Sequence, residues 1–262
     1  MSNCAIRFCD NQKIETYTIT SEDSSYPFTN ALSTVRSLVY KTTSNTNQAI
    51  TVDMGYPDKI TAFGLFGPLN QALGITEFGT ITLSANNIND FTSPPFQVTV
   101  NQNDQQAIWF ADSTTDTNYR FWQVLINDPG NPDFISFGYI YLGDYTAPIL
   151  RNVNRGFNWT TIDPTTTAKS VNGTPYFDVK NKFDTFGGLE LGFMTTDDRK
   201  TMQDLYDRIG QYTPVIVSID PTSKITTDLN ELTRLARFSS QFSATHAVFE
   251  YFNVSFSLEE VI

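Results

Sequence analysis

Gln48-Ala-Ile-Thr-Val-Asp-Met-Gly-Tyr-Pro-Asp-Lys-Ile-Thr-Ala-Phe-Gly-Leu-Phe-Gly67 is the stretch on which the fold turns. Its first eight residues alternate at period two, the pattern of a half-buried strand, and halt at Gly55-Tyr56-Pro57, a turn signal. Ile60 to Gly67 then reads as a second strand. Working toward the C-terminus, Thr80 to Ser84 alternates again, Asn86 to Asp90 is loop, and Gln97 to Val100, Ala107 to Phe110, Arg120 to Asn127 and Ile135 to Leu142 are further short runs. Turn signals recur every 8–15 residues between about 14 and 146, with no convincing helical period, so this half is predicted to be a β-sandwich.

At Asp144-Tyr145-Thr146-Ala147-Pro148 the text changes, and Pro148 biases Ala147 to extended geometry, as in a linker. The expected division is therefore 1–146 and 147–262. The second half carries the one clear helix, over about 196–209. Thr195 or Thr196 can cap it, Asp197 and Asp198 suit its first turn, and Met202, Leu205, Tyr206 and Ile209 share a face. Gly210 and Pro214 end it. Pro214 to Ile219 reads as a buried strand. Phe252, Val254, Phe256 and Leu258 alternate with Asn253, Ser255, Ser257 and Glu259 in a strand with one buried and one wet face. The expected fold class is mainly β: a sandwich followed by a β-sheet or barrel domain with one packed α-helix.

The 262 residues fit two domains more comfortably than one. With 40% hydrophobic and 14% aromatic residues there is ample core material, while only 17% are charged, so Ser, Thr, Asn and Gln must cover much of the surface. Seventeen basic against 28 acidic residues leave a net charge of −11, which opposes attraction to nucleic acid or anionic membrane. Residues 1–146 hold 6 basic and 14 acidic side chains, net −8, and residues 147–262 hold 11 and 14, net −3. No apolar run is long enough to span a bilayer, and the N-terminus has no basic segment followed by an apolar one, so neither membrane insertion nor a signal peptide is expected. Cys4 and Cys9 are spaced for a local disulfide, but a strand through Ala5 to Phe8 would hold them apart, so thiols are expected.

The chemistry of catalysis is thinly represented. His246 is the one histidine, set in what looks like a strand start, and two thiols with one imidazole make no tetrahedral metal set. Glu22-Asp23, Asp197-Asp198 and Glu259-Glu260 raise the two-carboxylate chemistry of glycoside hydrolysis, yet neighbours on a strand point to opposite faces and the Asp pair is explained by the helix start. Gly64-Leu-Phe-Gly67 and Gly187-Gly188 lack the rest of a phosphate loop, and Asp112 to Asp116 reads as a polar turn. No enzyme activity, metal or cofactor is expected. Tyr26, Phe28, Trp109, Tyr119 and Trp159 suit either stacking on sugar rings or self-association.

Residues 48–67 resemble the core of discoidin-like (coagulation factor 5/8 C-type) galactose-binding jelly rolls, and Tyr119-Arg-Phe-Trp-Gln-Val124 through Asp128-Pro-Gly-Asn-Pro132 to Ile135–Gly143 is similar to that fold's closing strands in tailed-phage virion proteins. Gly188 to Phe193, the helix from Asp197, Pro214 to Pro221 and the strand ending Ser257-Leu-Glu-Glu260 resemble phage tail-hub or distal-tail proteins, with the two domains in reversed order. The resemblance implies a structural virion protein at a phage tail tip or baseplate, made and assembled in the host bacterial cytoplasm. It would form a threefold or sixfold ring around the DNA channel, with DNA passing without specific binding. Tail tube, hub and fibre proteins would be its partners, and its jelly roll would hold a fibre or touch host-surface glycan. The alternatives are a carbohydrate-binding lectin and a glycan-cleaving enzyme. By analogy, Tyr26, Phe28 and Asn70 are the candidate glycan contacts, at the end of the jelly roll where loops gather.

Overall fold

The computed structural model describes residues 6–69, 71–112, 115–147, 153–154, 156–220 and 226–261. Backbone contacts group the chain into two units, Phe8–Thr146 with Asp220–Thr233, and Met1–Arg7 with Ala147–Ile219 and Arg234–Ile262. Counted over these segments, the first unit holds 6 basic and 17 acidic side chains, net −11, and the second 11 and 11, net 0. All of the surplus charge therefore belongs to the first unit. Cys4, and with it any Cys4–Cys9 pairing, lies outside the described residues; the Cys9 side chain is buried.

In the first unit the strands are β1 (Arg7–Gln12), β2 (Tyr17–Ile19), β3 (Tyr40–Lys41), β4 (Gln48–Lys59), β5 (Ala62–Phe66), β6 (Thr80–Asn86), β7 (Phe96–Val100), β8 (Gln106–Phe110), β9 (Asn118–Asn127), β10 (Ser136–Phe137) and β11 (Tyr139–Thr146). One sheet runs β2-β4-β9-β6-β7 and the facing layer runs β1-β11-β5-β8, with neighbouring strands antiparallel in both. Alternation explains the five-stranded sheet: Ile50 and Val52 on β4, Ile81 and Leu83 on β6, and Trp122, Val124 and Ile126 on β9 all point into one core. β5 is buried along its whole length, as its unbroken apolar run implies.

The halt expected at Gly55-Tyr56-Pro57 does not end β4. The strand continues to Lys59 through a bulge between Asp53 and Asp58. Gly55 adopts φ 75°, which glycine takes without the steric cost a side chain would bring, and its N–H donates to Asp53 Oδ1 at 2.8 Å. The bulge turns β4 aside and leaves Asp53 to Asp58 facing the segment that follows β1.

The second unit contains β12 (Asn158–Ile162), β13 (Thr166–Lys169), β14 (Pro175–Asp178), β15 (Phe183–Met194), α1 (Thr196–Ile209), β16 (Val215–Ser218), β17 (Thr233–Phe238), β18 (Ser243–Val248) and β19 (Tyr251–Glu260). Its sheet runs β12-β15-β19-β17-β16, with β18 also beside β19, and β13 and β14 form a separate two-stranded ribbon. Thr195 Oγ1 accepts from the Asp198 N–H at 3.2 Å and donates to the Asp198 carboxylate at 3.0 Å, satisfying the start of α1. Met202, Leu205 and Ile209 are buried, and Tyr206 packs edge-on against Phe238. Val254, Phe256 and Leu258 are the buried face of β19.

A second, short helix, α2 (Thr226–Glu231), was not legible as a helix in the sequence. Its segment, 220–233, clusters with the first unit although it follows α1 in the chain. Gln106 on β8, itself buried, donates to the carbonyls of Thr233 (3.0 Å) and Asn230. A buried amide that finds carbonyl acceptors avoids the desolvation penalty and fixes this segment on the sandwich.

Candidate functional site

The cavity of interest in the sandwich unit is a groove of about 540 Å³ between Asn11–Thr16 and the bulged part of β4, Asp53–Asp58. Its floor is built around Lys13. The Lys13 ammonium has three acceptors, Asp144 at 2.7 Å, Asp58 at 2.9 Å and the Lys59 carbonyl at 2.9 Å, which together use its three N–H bonds. Burial works against the charge, but the hydrogen bonds that the ammonium donates to Asp144 and Asp58 outweigh it and raise the Lys13 pKa above its ordinary 10.5. The Lys13 backbone N–H is held by the Leu142 carbonyl at 2.9 Å, so β11 sets the position of the whole side chain.

A second ion pair stands on the other wall. Arg120 grips Asp53 with two parallel bonds, 2.8 Å to Oδ1 and 2.9 Å to Oδ2. That pair first, and the Gly55 N–H second, hold the Asp53 carboxyl below the usual carboxylate range. Tyr56 is 67% exposed at the mouth, with Asn11, Glu15 and Thr16 exposed opposite it. The groove thus offers one open aromatic ring, an amide, a hydroxyl and a carboxylate above charges that already have partners. Among the described residues no group of three or more His, Cys, Asp or Glu is gathered for a metal ion, and no helix is long and apolar enough to cross a membrane.

The three expected contacts are not brought together. Phe28 is a correction: it is 0% exposed on a 3₁₀ turn, Phe28–Leu32, with its ring 4.7 Å from Tyr17 and 5.3 Å from Tyr40. Its face is spent on the core, and no ring surface is left for a sugar. Tyr26 is 45% exposed, on the loop before that turn, where its carbonyl accepts from the Lys41 N–H; it does not line the groove. Asn70 lies outside the described residues. Of the other aromatics, Tyr119 is buried, Trp109 is half-buried against Phe96, and Trp159 is exposed in the second unit. His246 sits on β18 beside Phe252, away from any acid or thiol cluster among the described residues. The Asp112 carboxylate accepts from the Thr115 N–H at 2.8 Å and from its hydroxyl at 2.6 Å.

The groove residues were missed because Gly55-Tyr56-Pro57 looked like a plain turn. The available signal was Asp53 and Asp58 flanking an aromatic within that turn; what the chain could not reveal locally is that Lys13 and Asp144 meet them.

No family model matches the chain, and no curated protein matches it in sequence. Solved structures similar to it include the family 32 carbohydrate-binding module of C. perfringens NanJ in complex with galactose, 16% identical over 50% of this chain and 92% of that one with a TM-score of 0.39. A Streptococcus pneumoniae fucose-binding module is 13% identical over 51% and 94%, TM-score 0.41. A chitosan-binding module of a chitosanase/glucanase from Paenibacillus sp. IK-5 is 17% identical over 52% and 99%, TM-score 0.38. These neighbours are carbohydrate-binding modules and not catalytic domains.

Proposed function

We propose that this chain is a non-catalytic glycan-binding protein whose sandwich unit takes a neutral sugar in the groove across Tyr56. The observation that carries this reading is the open Tyr56 ring at the mouth of a polar groove whose cations are already matched. A ring face stacks on the apolar face of a pyranose while amide, hydroxyl and carboxylate groups meet its hydroxyls. The unit's charge of −11 disfavours sialylated or uronic-acid glycans. A glycan-cleaving role would need one carboxyl kept protonated opposite a second; Asp53 is instead held low by Arg120, and Asp58 and Asp144 share Lys13.

The test is titration calorimetry of the full chain with galactose-, fucose- and glucosamine-containing oligosaccharides. One of them is expected to bind, and Tyr56→Ala to weaken it roughly tenfold, the worth of one stacking contact. Binding that is unchanged by Tyr56→Ala, or an absence of binding across a glycan array, would remove the groove from the reading.

The second reading is the structural subunit of a phage tail tip, a ring with tail tube, hub and fibre partners located in the virion. What favours it is the second unit, which carries no net charge and exposes a strand ribbon of the kind assemblies use. It requires a tape-measure gene upstream and fibre genes downstream of this one; a neighbourhood without them rejects it.

A further inference from the structure

In the second unit every residue of β12, β13 and β14 is exposed. A strand normally exists because at least one face is covered, and an isolated two-stranded ribbon is at best marginally stable in water. Here β13 and β14 pair only with each other among the described residues, Thr167 opposite Phe177 and Ala168 opposite Tyr176. Alternation therefore puts Phe177 on one face of the ribbon and Tyr176 on the other, so neither face is a polar outer side. Phe177 is 63% exposed, and Trp159, Ile162, Val171, Tyr176 and Val179 are exposed with it. Six large apolar side chains within 21 residues exceed the scattered exposure of an ordinary surface. β12, Asn158-Trp-Thr-Thr-Ile162, closes one edge of its sheet with no charge and no proline, the devices that usually keep such an edge from pairing.

Charge selects the occupant. Residues 158–182 hold Lys169, Lys180 and Lys182 against Asp163 and Asp178, and two of the lysines are already beside those carboxylates, Lys180 at 3.6 Å from Asp178 and Lys182 at 3.4 Å from Asp163. The unit that carries the ribbon sums to zero, whereas the sandwich unit carries −11. A nucleic acid, an acidic surface or a strongly basic protein finds no complement on the ribbon; another neutral, apolar, edge-exposing surface does. The second unit of another copy is such a surface, and it offers the same apolar rows and open strand edges in return. We propose that residues 158–182 are the self-association element of this chain, docking on the second unit of another copy, with the −11 units left out of the contact. The inference rests on the ribbon's exposure and charge, and stands whether or not the groove binds sugar.

Sedimentation velocity of the full chain from 1 to 100 µM tests it. The wild type is expected to associate, and a variant carrying Val171→Asp, Tyr176→Thr and Phe177→Thr to associate at least tenfold more weakly. Because those side chains are exposed and threonine suits strands, the variant's far-UV circular dichroism and melting curve should match the wild type. Phe78→Thr, an equally bold change at an 81% exposed aromatic of the sandwich unit, should leave association as it was. Raising salt from 50 to 500 mM should strengthen association, since it screens repulsion between the acidic units. A wild type that stays monomeric, association indifferent to the triple substitution, association that weakens with salt, or a monomer that instead pellets with phosphatidylglycerol vesicles would each overturn the proposal.

Discussion

Trp122→Ala is expected to destabilise the sandwich unit by about 3–5 kcal/mol, the usual cost of emptying a large aromatic site in a packed core. Trp122 is 0% exposed on β9, the central strand of the five-stranded sheet, in register with Val52 on β4 and Ala85 on β6. Its ring packs 5.4 Å from Phe96 and 6.3 Å from Tyr119, and its Nε1–H donates to the Tyr119 carbonyl at 3.2 Å. Alanine removes the rings' mutual packing, leaves a cavity lined by Phe96 and Tyr119, and takes the indole donor from the Tyr119 carbonyl, and all three changes act in the same direction. In a unit of this size the loss corresponds to a fall of roughly 10 °C in its melting temperature. Urea unfolding followed by far-UV circular dichroism is the measurement. Trp122→Phe, which keeps a ring but loses the indole donor, should fall between the two. A shift of under about 1 kcal/mol for the alanine variant would mean that β9 is not the centre of the core.

The sheet around Trp122 was legible because its strands are half-buried, and half-burial writes itself into the sequence as alternation: β4, β6 and β9 read correctly at residues 50–52, 81–83 and 122–126. The helix α1 was legible for a parallel reason, since Thr195, the Asp197-Asp198 pair and Gly210 mark its ends and Met202, Leu205 and Ile209 its buried face. β12, β13 and β14 were illegible because their environment imposes no pattern: with no face buried, Asn158 to Ile162 and Thr166 to Lys169 carry no apolar–polar alternation that would mark a strand. Phe28 misled for the opposite reason. A phenylalanine after Tyr26-Pro27 looks like a loop aromatic, and nothing nearby in the chain announces that a 3₁₀ turn carries it inward onto Tyr17 and Tyr40.

The groove depended on contacts that no local window contains. Lys13 meets Asp58 after 45 residues and Asp144 after 131, and Arg120 meets Asp53 across 67. Charge bookkeeping by chain position was likewise blurred. Cutting at residue 146 assigned −8 and −3, whereas placing 220–233 with the sandwich unit and residues 1–7, with Arg7, in the second unit turns these into −11 and 0. That sharper contrast leaves one unit strongly acidic and the other without net charge, so electrostatic repulsion between copies falls on the first unit alone.

Lys13→Met should cost about 2 kcal/mol at neutral pH, and less of that cost should remain as the solution becomes alkaline. Methionine keeps much of the lysine stem's volume but leaves Asp58 and Asp144 facing each other, with the Lys59 carbonyl unmatched. Those carboxylates are about a third exposed, so water relieves part of the loss and the figure lies well below that of a sealed ion pair. The pH dependence follows from the raised Lys13 pKa. Its folded value exceeds the ordinary 10.5 of the unfolded chain, so the ammonium's contribution is complete below 10.5 and disappears as pH rises through the folded value. Tyr139 and Tyr141 also have raised pKa values through burial and add their own alkaline instability, but they do so equally in wild type and variant. The difference between the two proteins therefore isolates Lys13. Denaturation midpoints at pH 7, 9, 10.5 and 11.5 should converge at the alkaline end. A gap that stays constant over that range would mean that Lys13 acts through the packing of its stem and not through its charge, and the floor of the groove would then need a different account.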